Sequence, residues 1–395
     1  MKKSTTMLLS SVLTAGVLLA ACGDGDNNEN TTPVNDGNEN AGNAAEENDA
    51  DENAGNEGEE DGGNEAAGEG GEGFSSKMVT DVGGVDDRSF NESAWAGLTE
   101  FGEDFPEADV DYIQSGDAAD YLPNLQQLAR EGTDLSFAIG FLMADDVRTV
   151  AEQNPDQNFA IVDEVVTDDD GNPLDNLASI TFAEHEGSFL VGVIAAMHTE
   201  TDEVGFIGGV ESPLIKKFEN GFKAGVSYVD SDIEIAVQYA QDFNDASTGQ
   251  NIADTMYSNG ADIIYHAAGG TGNGLFTEAI DRNQSGETVW AIGVDQDQAL
   301  TEGGWDEGNV ILSSMVKRVD QAVYTVSEDT MNGNFPGGET LEFGLEDDGV
   351  GIAETQDNVS DDAIEAVEEY EQMITDGEIE VPQTDEEYEE FMDSL

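Results

Sequence analysis

The sequence predicts an α/β protein with two lobes, each a parallel sheet covered by helices and joined to the other by a hinge. From Lys77 onward, short and nearly continuous apolar runs alternate with longer amphipathic stretches. Apolar strands separated by helices indicate a parallel sheet that is buried on both faces. The folded part, about 320 residues, is too long for one hydrophobic core, which favours two lobes. A (β/α)₈ barrel would produce the same alternation and is the alternative.

Ten segments are predicted as strands, and the chain is expected to divide between the fifth and the sixth. They are 77–82, 110–114, 135–141, 158–162, 178–182, 204–208, 233–239, 262–266, 289–294 and 310–314. A helix that is apolar on nearly all sides begins at Glu184-His185-Glu186-Gly187 and should lead from one lobe into the other. We therefore expect lobe 1 at 76–183 with a return segment at about 296–360, and lobe 2 at 184–295. Residues 361–395 should form an acidic helix with a frayed tail.

The N-terminus reads as a processing signal followed by a stalk. Lys2-Lys3, a short apolar stretch and Leu19-Ala20-Ala21-Cys22 form a lipoprotein signal peptide over 1–21, which predicts a lipid on Cys22. An ordinary secretory signal is the alternative. Cys22 is the only cysteine, so an intramolecular disulfide is excluded. Residues 22–75 should be an acidic, disordered stalk, because 23–73 contain no Lys, Arg or aromatic residue and carry 17 acids.

The net charge of −76 restricts the partners of this protein. Without the 17 stalk acids, 88 − 17 = 71 acids remain against the ten bases outside the leader. A cationic partner would require a localised acidic patch, whereas these acids are spread along the chain, which favours a surface adapted to high salt. Nucleic-acid binding is excluded because no basic face exists.

Polar and aromatic residues crowd the segment after the first strand. Gly83–Trp95 (GGVDDRSFNESAW) contains Asp87, Phe90, Asn91 and Trp95 at the carboxyl end of that strand, where α/β proteins bind ligands. A helix cap explains one polar residue of this group but not all of them. Core packing is the alternative for Phe90 and Trp95.

Several later strand ends supply further candidates. Asp145 follows the third strand, where it could cap a helix, and Phe243 follows a second-lobe strand and could close on a ligand from the opposite lobe. The loop holding Gly270 and Gly272 lacks the GK[ST] ending of a phosphate-binding loop, so a neutral polar ligand is expected there.

Asp295 lies at a strand end, and Lys317 could neutralise nearby carboxylates. Lys216 and Lys217 could balance Glu211 and Glu219, or contact the ligand.

These motifs, taken together, resemble the basic membrane protein family of bacterial lipoproteins, the purine-nucleoside receptors of ABC importers. The segments that carry the resemblance are DDRSFN, GFLMAD, FAEHEGSFLVG, VGFIGGVESPLIKKFENGFKAG, HAAGGTGNG, IGVDQDQ and MVKRVD, within residues 77 to about 345. The resemblance implies a type I periplasmic-binding-protein fold. It also implies that Asp87 and Asn91 read the base edge, and that Phe90, Trp95 and Phe243 contact the base. By the same resemblance, the ribose would be contacted by Asp145, the Gly270–Gly272 loop, Asp295 and Lys317.

The leading hypothesis is therefore a lipid-anchored receptor on the outer face of the cell membrane. It would bind a purine nucleoside, deliver it to an ABC permease and need no cofactor. A receptor for a sugar or another small ligand, a nucleoside-metabolising enzyme, and a surface antigen without transport are the alternatives. The enzyme is disfavoured because no oriented nucleophile or phosphate loop is visible, and the three histidines share no metal-ligand spacing.

Overall fold

The computed structural model describes residues 73–395, and its first lobe is a parallel sheet with helices on both faces. The strands appear in the order β13-β5-β4-β3-β1-β2, in which β13 is Thr340–Phe343 from later in the chain. The elements of the first half of this lobe are β1 (Ser75–Val79), α1 (Phe90–Asp104), β2 (Asp109–Ile113), α2 (Tyr121–Glu131), β3 (Leu135–Ile139), α3 (Ala144–Gln153), β4 (Asn158–Val162) and β5 (Leu177–Phe182). Strand β3 is buried along its whole length, as expected of a strand covered on both faces.

The second lobe repeats this plan, with the strand order β14-β12-β9-β8-β6-β7. Its elements are α4 (Glu184–His198), β6 (Glu203–Gly208), α5 (Pro213–Val229), β7 (Glu234–Tyr239), α6 (Ala246–Asn259), β8 (Ile263–Ala267), α7 (Asn273–Gln284), β9 (Trp290–Asp295), the two-residue hairpin β10 (Gly304–Trp305) and β11 (Gly308–Asn309), and β12 (Ile311–Lys317). All ten predicted strands coincide with observed ones to within three residues at either end. The predicted two-lobed fold is confirmed.

The return to the first lobe is shorter than the sequence suggested. Strand β12 pairs with β9 and therefore belongs to the second sheet, although we expected lobe 1 to resume near residue 296. Helix α8 (Val319–Met331) packs on α1, and β13 (Thr340–Phe343) joins β5; β14 (Val350–Ile352) then returns antiparallel to β12. The chain thus crosses between the lobes three times: between β5 and α4, between β12 and α8, and between β13 and β14.

Helix α4 forms the buried centre of the second lobe. Eleven of its fifteen residues are buried, and its main contacts are with α5, α9 (Asp361–Thr375), β12 and β14. Gly192 and Gly225 permit this close approach, because a side chain at either would meet the backbone of the facing helix. Between residues 73 and 395, no helix is both long and apolar enough to cross a bilayer.

The acidic C-terminus is folded rather than frayed. A second helix, α10 (Asp385–Ser394), begins at Thr384 with a capping box that Glu387 completes. The helix lies on α5, where the Lys223 ammonium is 4.1 Å from the ring centroid of Tyr388 and Ser227 shares a hydrogen bond with that tyrosine. Local capping and this contact with lysine explain why a segment so rich in acids is helical.

Candidate functional site

A cleft lies between the lobes, at the carboxyl ends of both sheets. It holds about 580 Å³ of empty space including its mouth, within the range of small-molecule sites. Its lining is mainly apolar with five acidic or basic side chains: Asp81, Gly83, Asp87, Phe90, Asn91, Gly140, Phe141, Leu142, Asp163, Leu214, Ile215, Phe218, Phe243, Ala267, Ala268, Gly269, Val294, Asp295 and Lys317. Both lobes contribute, as the meeting of parallel strand ends requires.

Aromatic rings from the two lobes face each other across this cleft. Phe90 and Phe141 come from lobe 1, and Phe218 and Phe243 from lobe 2. Phe141 and Phe243 touch edge to face, with ring centroids 6.2 Å apart. These rings form an apolar slot that suits a flat ligand.

Asp87 and Asn91 lie in the cleft, but their polar atoms are occupied within the protein. The Asp87 carboxylate accepts N–H groups from Ser89, Asn91 and Glu92 and so caps α1. The Asn91 amide donates to Asp81 at 2.7 Å and to Asp87 at 2.9 Å, and its oxygen accepts from the Asp81 backbone. Both residues therefore shape the site through internal hydrogen bonds. Asp87 is the helix cap that the sequence analysis gave as the alternative to ligand binding.

A buried ion cluster forms the floor of the cleft and spans the hinge. The Lys317 ammonium donates to both oxygens of Asp163, at 2.6 and 2.7 Å, and lies 3.1 Å from Glu184. Lys217 reaches the same Glu184 at 3.2 Å and also donates to the backbone oxygen of Phe182. Asp163 follows β4, Glu184 begins α4 and Lys317 ends β12, so this cluster joins both lobes at a hinge crossing.

Burial has the largest single effect on the pKa of each of these groups, but neighbouring charges decide the net direction for two of them. Burial raises the pKa of Asp163 to about 6 in spite of Lys317, and raises that of Asp295 to about 7. Burial also raises the pKa of Glu184, but Lys317 and Lys217 outweigh it, so the net shift is downward. For Lys317, the three neighbouring carboxylates outweigh burial and hold the pKa above its usual value. The floor is therefore a carboxylate-rich surface with a permanently charged ammonium at its centre.

Strained backbone marks the same strand ends. Asp163 has φ of 74° and Asp295 has φ of 65°, in the left-handed region that costs a non-glycine residue free energy. The Asp295 carboxylate accepts a hydrogen bond from the Ser89 hydroxyl of the opposite lobe. Both aspartates line the cleft.

Two sequence-predicted residues outside the glycine-rich loop, Asp145 and Trp95, do not line the cleft. Asp145 is outside the cleft with its side chain 96% exposed, and it pairs with Arg148 on the surface. The short 3₁₀ turn Phe141–Met143 carries α3 away from the cleft, so Asp145 points into solvent. Trp95 packs against Tyr112 on lobe 1, with ring centroids 4.8 Å apart. This is the packing role that the sequence analysis gave as the alternative for Trp95.

The glycine-rich loop contributes a different glycine from the two predicted. Gly269 lines the cleft, whereas Gly270 and Gly272 do not. A side chain at Gly272 would collide with the His266 ring at 2.0 Å, so that glycine serves packing. The sequence analysis also missed Asp81, Phe141 and Asp163. Their position directly after β1, β3 and β4 is the signal that would have found them.

Hydrogen bonds between the lobes hold the cleft closed. Gln296 and Gln298 donate to the backbone oxygens of Ser89 and Arg88, each at 2.8 Å. Asn273 donates to the backbone oxygen of Asp87 at 3.1 Å, and Asn244 to that of Val82 at 3.0 Å. Since each partner comes from the opposite lobe, the structure is a closed conformation.

The remaining titratable groups form no second chemical centre. Within residues 73–395, no three His, Cys, Asp or Glu side chains are arranged to hold a metal ion. His266 is buried and bonds Gln298 at 3.1 Å, and burial lowers its pKa to about 4. Lys216 balances Glu211 and Glu219, as the charge-balance alternative predicted, and also reaches Asp385.

Two similar α/β lobes closing on an interlobe cleft, with no catalytic constellation in the described residues, define a solute-binding protein. The chain belongs to a family of this class: residues 74–385 match the family described as ABC transporter substrate-binding protein PnrA-like. The resemblance to basic membrane proteins is thereby confirmed.

Similar proteins agree with this membership. The chain is 48% identical over 326 residues to the "CD4+ T-cell-stimulating antigen" of Listeria innocua, covering 78% of this chain and 88% of that one. It is 41% identical over 316 residues to the "ABC transporter nucleoside-binding protein BmpA" of Lactococcus lactis, covering 77% and 88%. Among solved structures, a solute-binding protein of an ABC transporter system from Aeropyrum pernix matches with a TM-score of 0.71 and 28% identity, covering 80% and 96%. The Lactococcus and Aeropyrum proteins are named as binding proteins of ABC transporters.

Proposed function

We propose that this protein is a lipid-anchored receptor that captures purine nucleosides by closing its two lobes and delivers them to an ABC permease. The observation that carries the proposal is the slot of aromatic rings above a floor of carboxylates. Phe90 and Phe243 come from opposite lobes, so a flat base between them would be contacted on both faces only after closure.

The polar floor fits a ribose. Asp163 and Asp295 place carboxylate oxygens at the hinge side of the cleft, and these oxygens have lone pairs left to accept hydrogen bonds from vicinal hydroxyls, while Lys317 stays paired with Asp163 and Glu184. A phosphate would meet several carboxylates and one already paired ammonium, so nucleotides should be rejected. The Lactococcus relative, named as nucleoside-binding, points to the same ligand class.

The anchor rests on sequence alone, since Cys22 and the stalk lie outside the described residues. Cys22→Ser should abolish lipid labelling and release a soluble protein that still binds ligand. A variant that stayed on the membrane at high salt would contradict the anchor.

Calorimetry in molar salt with inosine, hypoxanthine, ribose and inosine monophosphate tests the ligand. We expect inosine to bind most tightly, hypoxanthine and ribose more weakly because each fills half of the cleft, and the nucleotide not at all. Preference for ribose would favour the sugar receptor. Preference for the nucleotide, or no binding of any purine nucleoside, would overturn the proposal.

A further inference from the structure

Four amide side chains of lobe 2 bind one loop of lobe 1. The loop joins β1 to α1 and spans residues 80–89. Its backbone oxygens at Val82, Asp87, Arg88 and Ser89 accept, in that order, from Asn244 at 3.0 Å, Asn273 at 3.1 Å, Gln298 at 2.8 Å and Gln296 at 2.8 Å. We call the four amides and this loop the latch. Because every bond of the latch joins opposite lobes, the latch exists only in the closed conformation.

The latch amides lie apart from the ligand. None of the four belongs to the lining of the cleft. Their acceptors are backbone oxygens, which every residue supplies. The latch therefore needs no ligand atom in order to form, unlike the contacts that the aromatic rings and carboxylates of the cleft would make. Bonds that exist in the closed state and not in the open one shift the equilibrium between the two, whether or not a ligand is bound.

Gln298 is oriented for the latch by groups of its own lobe. The residue is fully buried, and its Oε1 accepts from the backbone N–H of Val294 at 2.8 Å and lies 3.1 Å from Nε2 of His266. Because an amide oxygen can only accept, His266 donates from Nε2, and the NH₂ group of Gln298 is left for Arg88. Burial lowers the pKa of His266 to about 4, so the ring stays neutral at physiological pH. An amide fixed in advance loses little side-chain entropy when the lobes meet.

We propose that the latch closes the two lobes independently of the ligand, so that the ligand-free protein populates the closed conformation and the latch sets the rate at which a bound solute leaves. The choice of inosine as the probe solute rests on the proposed nucleoside function. Loss of one latch bond should lower the ratio of closed to open molecules by about two- to tenfold, the contribution of one ordinary hydrogen bond.

The distance between the lobes in the ligand-free protein tests the proposal. Spin labels on Ala118→Cys and Ser247→Cys, in a Cys22→Ser background, report this distance by pulsed electron resonance in molar salt. Both positions are exposed, one after β2 in lobe 1 and the other in the first turn of α6 in lobe 2. Ligand-free wild type should show two distances, of which the closed one equals the distance seen with saturating inosine.

Gln296→Ala is the first latch variant, because the Gln296 amide makes no other hydrogen bond among residues 73–395. It should lower the closed-to-open ratio by about two- to tenfold. Asn273→Ala should act in the same direction, and the factors should multiply in the double variant. Stopped-flow release of inosine should accelerate by a similar factor, while the affinity ratio of inosine to guanosine stays the same.

Gln250→Ala is the matched control, since this amide donates to Glu278 at 3.3 Å within lobe 2. Its closed-to-open ratio and its release rate should equal those of wild type. A ligand-free wild type with the open distance alone would overturn the proposal, as would an unchanged closed fraction in the folded Gln296→Ala, Asn273→Ala double variant. If wild type did not bind inosine, the nucleoside function would fail, and the ligand-free distances would still decide whether the latch closes the lobes.

Discussion

Lys317 and Asp163 form a buried ion pair that joins the two lobes, with Nζ 2.6 and 2.7 Å from the two carboxylate oxygens. Their side chains are 1% and 5% exposed. Lys317 ends a strand of the second sheet, while Asp163 follows a strand of the first. Closure therefore places an ammonium among carboxylates that would otherwise repel one another at the hinge.

Lys317→Met should destabilise the protein by about 3–5 kcal/mol, because it leaves Asp163 and Glu184 buried without their shared cation. Urea unfolding at pH 7.5 in molar salt measures the change. Lys77→Met is the matched control: its partner Asp109 is 70% exposed, so the loss should be below about 1 kcal/mol. Equal effects of the two substitutions would show that the hinge cluster does not stabilise the closed fold.

Asp295 makes stability depend on pH in a predictable direction. Burial raises its pKa to about 7 from 3.8, so the folded protein takes up a proton that the unfolded chain does not bind until far lower pH. The cost of the buried charge is present at pH 8 and is relieved as the pH falls through 7. Asp295→Asn should therefore be more stable than wild type at pH 8, and the difference should shrink toward pH 5. Parallel stability profiles would contradict this.

Phe243→Ala should weaken nucleoside binding by about 1–3 kcal/mol, because one face of the base loses its aromatic contact. Asp145→Ala, an exposed residue outside the cleft, should leave affinity unchanged. Calorimetry with inosine measures both variants. A loss of affinity in Asp145→Ala comparable to that in Phe243→Ala would restore the ribose role that the sequence suggested for Asp145.

Melting temperature should rise steeply between 0.1 M and 2 M NaCl, since salt screens the repulsion of 71 acids. All bases of the described residues except Arg130 already lie within ion-pair distance of a carboxylate. Most carboxylates therefore have no cation of the protein to balance them. A melting temperature that did not change over this range would exclude adaptation to high salt.

The strand pattern was predictable because apolar runs in a parallel sheet leave a strong signal in the sequence. From the strand ends and the residues that follow them, six predicted site residues do line the cleft: Asp87, Phe90, Asn91, Phe243, Asp295 and Lys317. Asp145 was misplaced because a single 3₁₀ turn decides which way the following helix points, and no composition signal reports that turn.

Asp81 and Asp163 were missed for a different reason. In a chain with 88 acids, one more Asp after a strand is not conspicuous. What distinguishes Asp163 is its left-handed backbone and its bond to Lys317, and both depend on tertiary contacts. Likewise, the fold of α10 depends on a contact between Lys223 and Tyr388, which are far apart in the sequence.

The contact of α10 with α5 makes the last residues of the chain relevant to transport. The first turn of α5 supplies Leu214 and Ile215 to the cleft, and its outer face carries α10 through Asn220 and Lys223. A tag, fusion or proteolytic cut near residue 385 would expose Lys216 and Lys223, which now hold α10 and belong to the same helix as the cleft-lining Ile215. Recombinant protein for binding measurements should therefore keep residues 385–395 and carry any affinity handle ahead of residue 73.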